Sequence, residues 1–205
     1  MECPEVERPR LFCLDLEGIL LSEFWIEVAK RFRVPALRRT TRDEPDYGKL
    51  MRYRLRLLRK EGIRLREIQR VIAGVEPLPG ARAFLQKLRA AGPVVILSDT
   101  YYEFAGPVLP KLGSPTLFCN RLTAGRDGFI RGYRLRQKDG KRRAVLGLKR
   151  LGFHVKAVGD SFNDLAMLKA ADEGFLFNPP ASIRKKRLRF PVARSYGRLL
   201  KLLLK

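Results

Sequence analysis

A chain of 205 residues, 45% of them hydrophobic, carries enough apolar surface for one good-sized globular domain or a domain with a smaller insert; two fully independent domains are not expected. No run of about 18 apolar residues is present to span a bilayer, and the opening MECPEVERPR has no apolar stretch after a basic start, so a cytoplasmic protein without a membrane partner is expected. Cys3, Cys13 and Cys119 are too few and too scattered for a disulfide framework or a CxxC metal site; Cys13 and Cys119, in strand-like runs, are expected to be reduced core residues.

The formal charge of +22 is the outstanding bulk property and invites a polyanion as partner. Its distribution is uneven: Arg184 to Lys205 contains no acid, and Arg121 to Lys156 is nearly as one-sided. Yet neither stretch holds a zinc-finger spacing, an RNP-type aromatic segment or a GXXG loop. Nucleic acid is therefore not expected as the main partner, and the bland alternative is a solvated basic surface that also attracts anionic substrates.

In chain order, Arg10 to Leu14 (RLFCL) is a short apolar run of strand length that ends on Asp15, with turn-compatible Glu17 and Gly18 following. From Phe24 to Ala73 the apolar spacing turns helical, as in FWIEVAKRF and LMRYRLRLLRKEG, separated by TTRDEPDYG with Pro45 and Gly48 as breakers. After a boundary at Pro77, Pro79 and Gly80, helices and strands alternate. ARAFLQKLRAA is a helix, PVVILS a buried strand, YEFAGPVLPKLG an interrupted helix and TLFC a strand. Asp127-Gly128 between β-prone runs signals a hairpin within Asn120 to Gln137. A helix near Lys141 to Leu151, the strand VKAVG, a helix from Asn163 to Ala171, the strand GFLF and two basic helical stretches around PVARS complete the chain.

That alternation predicts an α/β fold, a doubly wound and mainly parallel sheet with helices on both faces. Because its first strand precedes the helical block and the rest follow, residues 22–75 are expected to form a small helical cap inserted in a core of residues 10–21 and 76–205. Ligands in such folds bind beyond the carboxyl ends of the strands.

Three polar clusters fall at those ends: DLEG (Asp15 to Gly18), SDT (Ser98 to Thr100) and GDSFND (Gly159 to Asp164). Together they hold what phosphoryl transfer needs, a nucleophile, a seat for a metal and donors for the equatorial oxygens. A carboxylate such as Asp15 can form an aspartyl-phosphate and split hydrolysis into two easier displacements. Mg²⁺ takes hard oxygen ligands, and Asp15, Asp160 and the backbone carbonyl of Glu17 fit it. Ser98 and Lys141 could hold the transferred group, and Glu17 could protonate the leaving alcohol and later activate water.

DLEG, SDT, the lysine of KDGKRR and GDSFND, in that order, resemble the four motifs of the haloacid dehalogenase superfamily of aspartate-nucleophile phosphatases. A cap inserted after the first motif is the arrangement of its phosphoserine phosphatases. CLDLEG, TTRDEPDY, RLRLL, VVILSDTYYEF, YRLRQKD and AVGDSFND resemble the branch described as phosphoserine phosphatase that also acts as homoserine phosphotransferase. The resemblance implies phosphoserine, and homoserine as a second acceptor, as small-molecule partners. It implies Glu23 and Arg54 on the amino and carboxylate groups of the serine moiety, chemistry that suits an acid and a guanidinium fork. It also implies Asn163 and Asp99 among the substrate contacts, with Asp164 orienting Lys141 or metal-bound water; a homodimer is left open. Most superfamily phosphatases carry Asp two residues after the nucleophile, whereas this chain has Glu17, as that branch does.

Bland readings stand beside these. Asp160 followed by Ser161 could be a helix cap. The role of Lys141 could fall to Lys138, Arg142 or Arg143, and Glu23 and Arg54 could be exposed surface charge. His154, the single histidine, is expected to be structural or solvated, and Trp25 to be cap core. The competing functions are a phosphatase for another small phosphorylated metabolite and a basic binding module with vestigial enzymatic residues.

Overall fold

A computed structural model describes residues 7–40, 43–44, 46–186 and 188–205. Cys3 and the breaker Pro45 lie outside the described residues. Strand β1 (Arg10–Leu14) is followed by α1 (Phe24–Phe32), a 3₁₀ turn (Pro35–Arg38), α2 (Tyr47–Lys60), α3 (Leu65–Ala73) and α4 (Ala81–Ala91). Then come β2 (Val94–Tyr101), the short α5 (Tyr102–Ala105), a 3₁₀ turn (Leu109–Leu112), and the pair β3 (Thr116–Ala124) and β4 (Ile130–Arg134). The chain continues through α6 (Gly140–Arg150), β5 (His154–Gly159), a 3₁₀ turn (Phe162–Asp164), α7 (Leu165–Ala170) and β6 (Glu173–Phe177). It closes with α8 (Ala181–Arg184), β7 (Val192–Ala193) and α9 (Tyr196–Leu203).

The seven strands form one sheet in the order β4-β3-β2-β1-β5-β6-β7, parallel except for the β3–β4 hairpin. The doubly wound expectation therefore holds. Strand β1 is central and buried on both faces, with Phe12 and Leu14 in the core on one side and Leu11 and Cys13 in the core on the other. Helices α4 and α9 cover the first face, while α6, α7 and α8 cover the second. Cys13 and Cys119 are free and buried in β1 and β3, and desolvation pushes both thiols up to about 12, which keeps them unreactive.

Several details differ from the sequence reading. Gly48 does not break α2 but lies in its first turn, because the Asp46 side chain accepts the Lys49 N–H at 2.9 Å and caps the helix there. Strand β2 does not stop at Ser98 but runs on to Tyr101, held beyond that serine by pairing of Tyr101 with Asn120. The two residues Val192 and Ala193 within PVARS form an edge strand between two helices, and the helix expected from Asn163 begins as a 3₁₀ turn. Among the described residues no helix is long and apolar enough to cross a membrane.

Away from the strand ends, Asp172 joins three elements: its carboxylate accepts the Val155 N–H at 2.8 Å, Arg8 at 3.1 Å and Lys149 at 3.1 Å. Burial alone would raise this carboxyl, but those donors outweigh it and hold the pKa at about 2. A group depressed below its unfolded value, about 3.9 for Asp, stabilises above that value and loses its effect as pH falls toward its folded pKa. Asp172→Asn should therefore cost about 1 kcal/mol at neutral pH. In urea titrations that gap should close between about pH 4 and pH 2, and a gap of constant size would contradict the assignment.

Candidate active site

A cavity of 420 Å³ opens beyond the carboxyl ends of β1, β2 and β5, at the point where the chain leaves central β1 for opposite sides of the sheet. Asp15 directly follows β1, and its N–H donates to Val158 O on neighbouring β5 at 3.0 Å, which fixes where the side chain leaves the sheet. The carboxylate is only 4% exposed and its Oδ1 accepts the Leu16 N–H at 2.7 Å.

Asp160 stands at the same level directly after β5. Gly18, at φ +81°, makes this approach possible: a Cβ there would lie 2.5 Å from Asp160 Oδ2, so the turn after Asp15 and the Asp160 carboxylate fit only without a side chain at that position. Gly159 serves the same purpose behind the site, where a Cβ would meet Asp164 Cβ at 2.3 Å.

Asp164, fully buried, is the organiser of this corner. Its Oδ2 accepts from the backbone N–H groups of Asp160 at 3.1 Å and Ser161 at 3.0 Å, and from Ser161 Oγ at 3.0 Å. Its Oδ1 accepts Lys141 Nζ at 2.7 Å. Lys141, second residue of α6 and 6% exposed, also reaches Asp15 Oδ1 at 2.9 Å and lies 3.7 Å from Asp99 Oδ2. The lysine in the site is thus Lys141; Arg142 pairs instead with Asp139.

One buried cation faces several carboxylates, and their protons respond. Burial, reinforced by Asp164 and Asp160 and opposed by Lys141, holds the Asp15 carboxyl well above the usual range. Burial and Asp164 push Asp160 up to about 6. Burial alone would lower Lys141, but the surrounding acids outweigh it and keep the ammonium charged. Glu17 lines the cavity with Oε1 accepting the Phe24 N–H at 2.7 Å, and burial raises its carboxyl to about 7, where it can hold or release a proton near neutrality.

Asp15, Asp160 and Asp164 bring a carboxylate oxygen each within 4.8 Å of one another. A cluster of hard oxygen donors with more negative than positive charge fits a divalent cation such as Mg²⁺. Because Asp164 already accepts from four donors, Asp15 and Asp160 are the carboxylates with capacity for one.

The remaining predicted residues line the same cavity. Ser98, 6% exposed, accepts the Thr100 N–H at 3.2 Å, and Asn163 Nδ2 donates to Asp99 Oδ2 at 3.0 Å, tying the β2 cluster to the β5 cluster. Glu23 lines the cavity but is exposed, as the surface-charge reading expected, and its side chain makes no hydrogen bond or ion pair with the described residues. Arg54 is 5% exposed and not a surface charge: Nη2 donates to Arg39 O at 2.6 Å, the guanidinium lies 4.4 Å over the Trp25 ring, and Nε has no partner.

Trp25 departs from its expected place. It packs edge-on against Phe104 at 5.4 Å, but it is only half-buried and its ring also walls the cavity. Two further features escaped the sequence reading. Asn120, 7% exposed on β3, donates to Asp99 O and accepts the Arg136 N–H, both at 3.0 Å, so it braces the end of β2 beyond Ser98; an amide inside a run of buried strand residues was its signal. Tyr47 and Tyr101 line the cavity with their hydroxyls joined by a hydrogen bond. His154 and Lys156 pair with Glu173 in the β5–β6 ladder, apart from the cavity.

A family model for haloacid dehalogenase-like hydrolases matches residues 9–172, the span that contains every cavity side chain named above. The chain belongs to that family. Within it, the chain is 47% identical over 189 residues to a phosphoserine phosphatase of Pseudomonas syringae pv. tomato, covering 92% of this chain and 80% of the relative. It is also 47% identical over 193 residues to phosphoserine phosphatase ThrH of Pseudomonas aeruginosa, covering 94% of each. This member of the haloacid dehalogenase-like hydrolases is accordingly an enzyme of the phosphatase branch. Its fold is that of a solved phosphoserine phosphatase described as a phospho-aspartyl intermediate analogue, with a TM-score of 0.78 at 19% identity over 97% of this chain and 100% of the other.

Proposed function

We propose that the enzyme hydrolyses O-phospho-L-serine to L-serine and phosphate through a phosphorylated Asp15. The observation that carries this reading is the pair of opposite charges lining the cavity of Asp15: buried Arg54, whose Nε has no partner, and solvent-exposed Glu23, whose side chain pairs with none of the described residues. An α-amino acid brings a carboxylate for the first and an ammonium for the second, and its phosphate ester would then reach toward Asp15. The 47% identical relatives named phosphoserine phosphatase support the same substrate.

In this reading an Asp15 oxygen attacks phosphorus as the phosphorus–oxygen bond to serine breaks, and Glu17 gives its proton to the departing oxygen. Glu17 then takes a proton from water, whose oxygen attacks phosphorus and frees Asp15 and inorganic phosphate. Ser98 Oγ and Lys141 Nζ hold the phosphoryl oxygens, Asp164 holds Lys141 against them, and Asn163 and Asp99 form the wall on that side. Bound Mg²⁺, held by Asp15, Asp160 and the Glu17 backbone carbonyl, would supply positive charge against the phosphoryl oxygens. Residues 22–75 act as a cap over the core of residues 10–21 and 76–205, contributing Glu23, Trp25 and Arg54. The free thiols of Cys13 and Cys119 fit a reducing, cytoplasmic setting.

We extend the proposal to homoserine as a second acceptor. Glu17, longer than Asp, is held by the Phe24 N–H at 2.7 Å, and the cavity of 420 Å³ leaves room for an alcohol to take the place of water. The test is phosphate release with Mg²⁺ from phosphoserine, phosphoethanolamine and sugar phosphates, repeated with homoserine present. Expected is a preference for phosphoserine of about 100-fold in kcat/KM, the worth of two charge-assisted contacts, with phosphohomoserine appearing in the second arm. Equal rates on a sugar phosphate would move the reading to another metabolite, and no phosphohomoserine would remove the transfer.

A further inference from the structure

The cavity wall around Arg54 contains a donor that the proposed reaction has not used. Tyr47, in the first turn of α2, and Tyr101, the last residue of β2, meet there with their hydroxyls bonded to each other. Tyr101 is 1% exposed and Tyr47 half-buried, and both line the cavity. Tyr133 of β4 packs edge-on to Tyr47 at 5.5 Å and against Tyr101 at 6.2 Å, fixing both rings.

Two phenols that share a hydrogen bond use one O–H between them and keep the other O–H to give. Among the described residues no acceptor takes it. Burial raises Tyr47 to about 12 and lifts Tyr101 further, so both remain protonated donors at neutral pH. A spare phenol O–H and the Nε–H of Arg54 thus line the same cavity, and the buried Nε–H has no partner where an unmade hydrogen bond is costly.

We propose that the Tyr47–Tyr101 hydroxyl pair is the second half of a carboxylate subsite, donating its spare O–H to the same substrate carboxylate that takes Arg54 Nε–H. The pair makes the enzyme selective for phosphate esters that carry a carboxylate. One of its hydroxyls comes from the helical segment and the other from the sheet, so a bound carboxylate also ties those two parts together at the substrate. This inference rests on the phosphoserine reading and adds the residues that discriminate within it.

The experiment compares phosphoserine with phosphoethanolamine, which has the same amine and phosphate but no carboxylate, in wild type, Tyr47→Phe and Tyr101→Phe. Loss of one neutral donor to a charged acceptor should lower the ratio of the two kcat/KM values about tenfold in Tyr47→Phe, with the loss falling on the KM for phosphoserine. Tyr101→Phe should lower the ratio in the same direction, because the pair then has no second hydroxyl to orient the spare O–H. A ratio within about twofold of wild type in both variants, or an equal loss on both substrates, overturns the subsite and leaves the tyrosines as packing. A wild type that does not favour phosphoserine over phosphoethanolamine brings down the phosphoserine reading itself, and the subsite with it. Wild-type turnover of phosphoserine methyl ester, whose carboxylate is blocked, gives the same comparison without any variant: KM should rise more than for loss of the Tyr47 hydroxyl alone, and an unchanged KM refutes carboxylate recognition.

Discussion

Asp15→Asn is expected to abolish phosphate release from phosphoserine, by about 10⁴- to 10⁶-fold in kcat, the scale on which loss of a covalent nucleophile is felt. The replacement is close to isosteric and keeps the acceptor for the Leu16 N–H, so the folded state should persist. It should even gain a little stability, because the native carboxylate is buried at 4% exposure and its ionised form is disfavoured by desolvation and by Asp160 and Asp164. An amide has neither burden. Activity and stability should thus move in opposite directions, measured as turnover and as thermal midpoint on one preparation. Substrate should still bind, since Arg54, Glu23 and Lys141 are untouched. A variant that retains a tenth of the wild-type rate would mean that another group, or water directly, attacks phosphorus.

Much of this site was legible because its motifs follow from topology. A run such as RLFCL that ends on an acid is what a buried central strand delivering a carboxylate looks like, and alternation with helices fixes the edge to which Asp15, Ser98 and Asp160 come. Arg54 was not legible from spacing. It sits in YRLRLLR, where alternating arginines read as a solvated face, and only resemblance marked it; at 5% exposure its guanidinium meets the Trp25 ring of α1 and the Arg39 carbonyl just after the 3₁₀ turn, neighbours distant in sequence. The aromatic wall was hidden for a related reason. Trp25 falls where helical periodicity predicts core, and periodicity cannot distinguish a side chain that faces the core from one that faces a cavity; Tyr47 falls in the loop TTRDEPDYG and Tyr101 beyond the strand PVVILS, where no periodicity speaks. Gly48 misled because a glycine near a proline suggests a break, whereas the Asp46 cap had already committed the helix. The edge strand at Val192 and Ala193 is two residues long, too short to leave any alternation.

Lys141→Met should have the largest effect on stability. The methionine keeps the length and apolar body of the lysine but removes what is, among the described residues, the one cation within 4 Å of Asp15 and Asp164. Breaking a buried charge pair by deleting one partner typically costs about 3–5 kcal/mol, because the survivors remain desolvated without compensation. Here the survivors are acids whose oxygens lie within 4.8 Å of one another, so repulsion adds to desolvation. The loss is bounded, since one of the crowded carboxyls can take up a proton: Asp15 is already held well above the usual range and Asp160 is raised to about 6. The cost should therefore settle near about 3 kcal/mol in urea unfolding at neutral pH. Divalent cation gives this prediction a second arm. If Asp15 and Asp160 hold Mg²⁺, millimolar Mg²⁺ should raise the thermal midpoint of Lys141→Met by more than that of wild type, because binding to the folded state alone stabilises it and the variant's site has lost its competing cation. Turnover would stay depressed, since the ion does not replace the Nζ donor to the phosphoryl oxygens. Equal midpoints with and without Mg²⁺ in both proteins would show that the acid cluster is not a cation site and that Lys141 alone balances it.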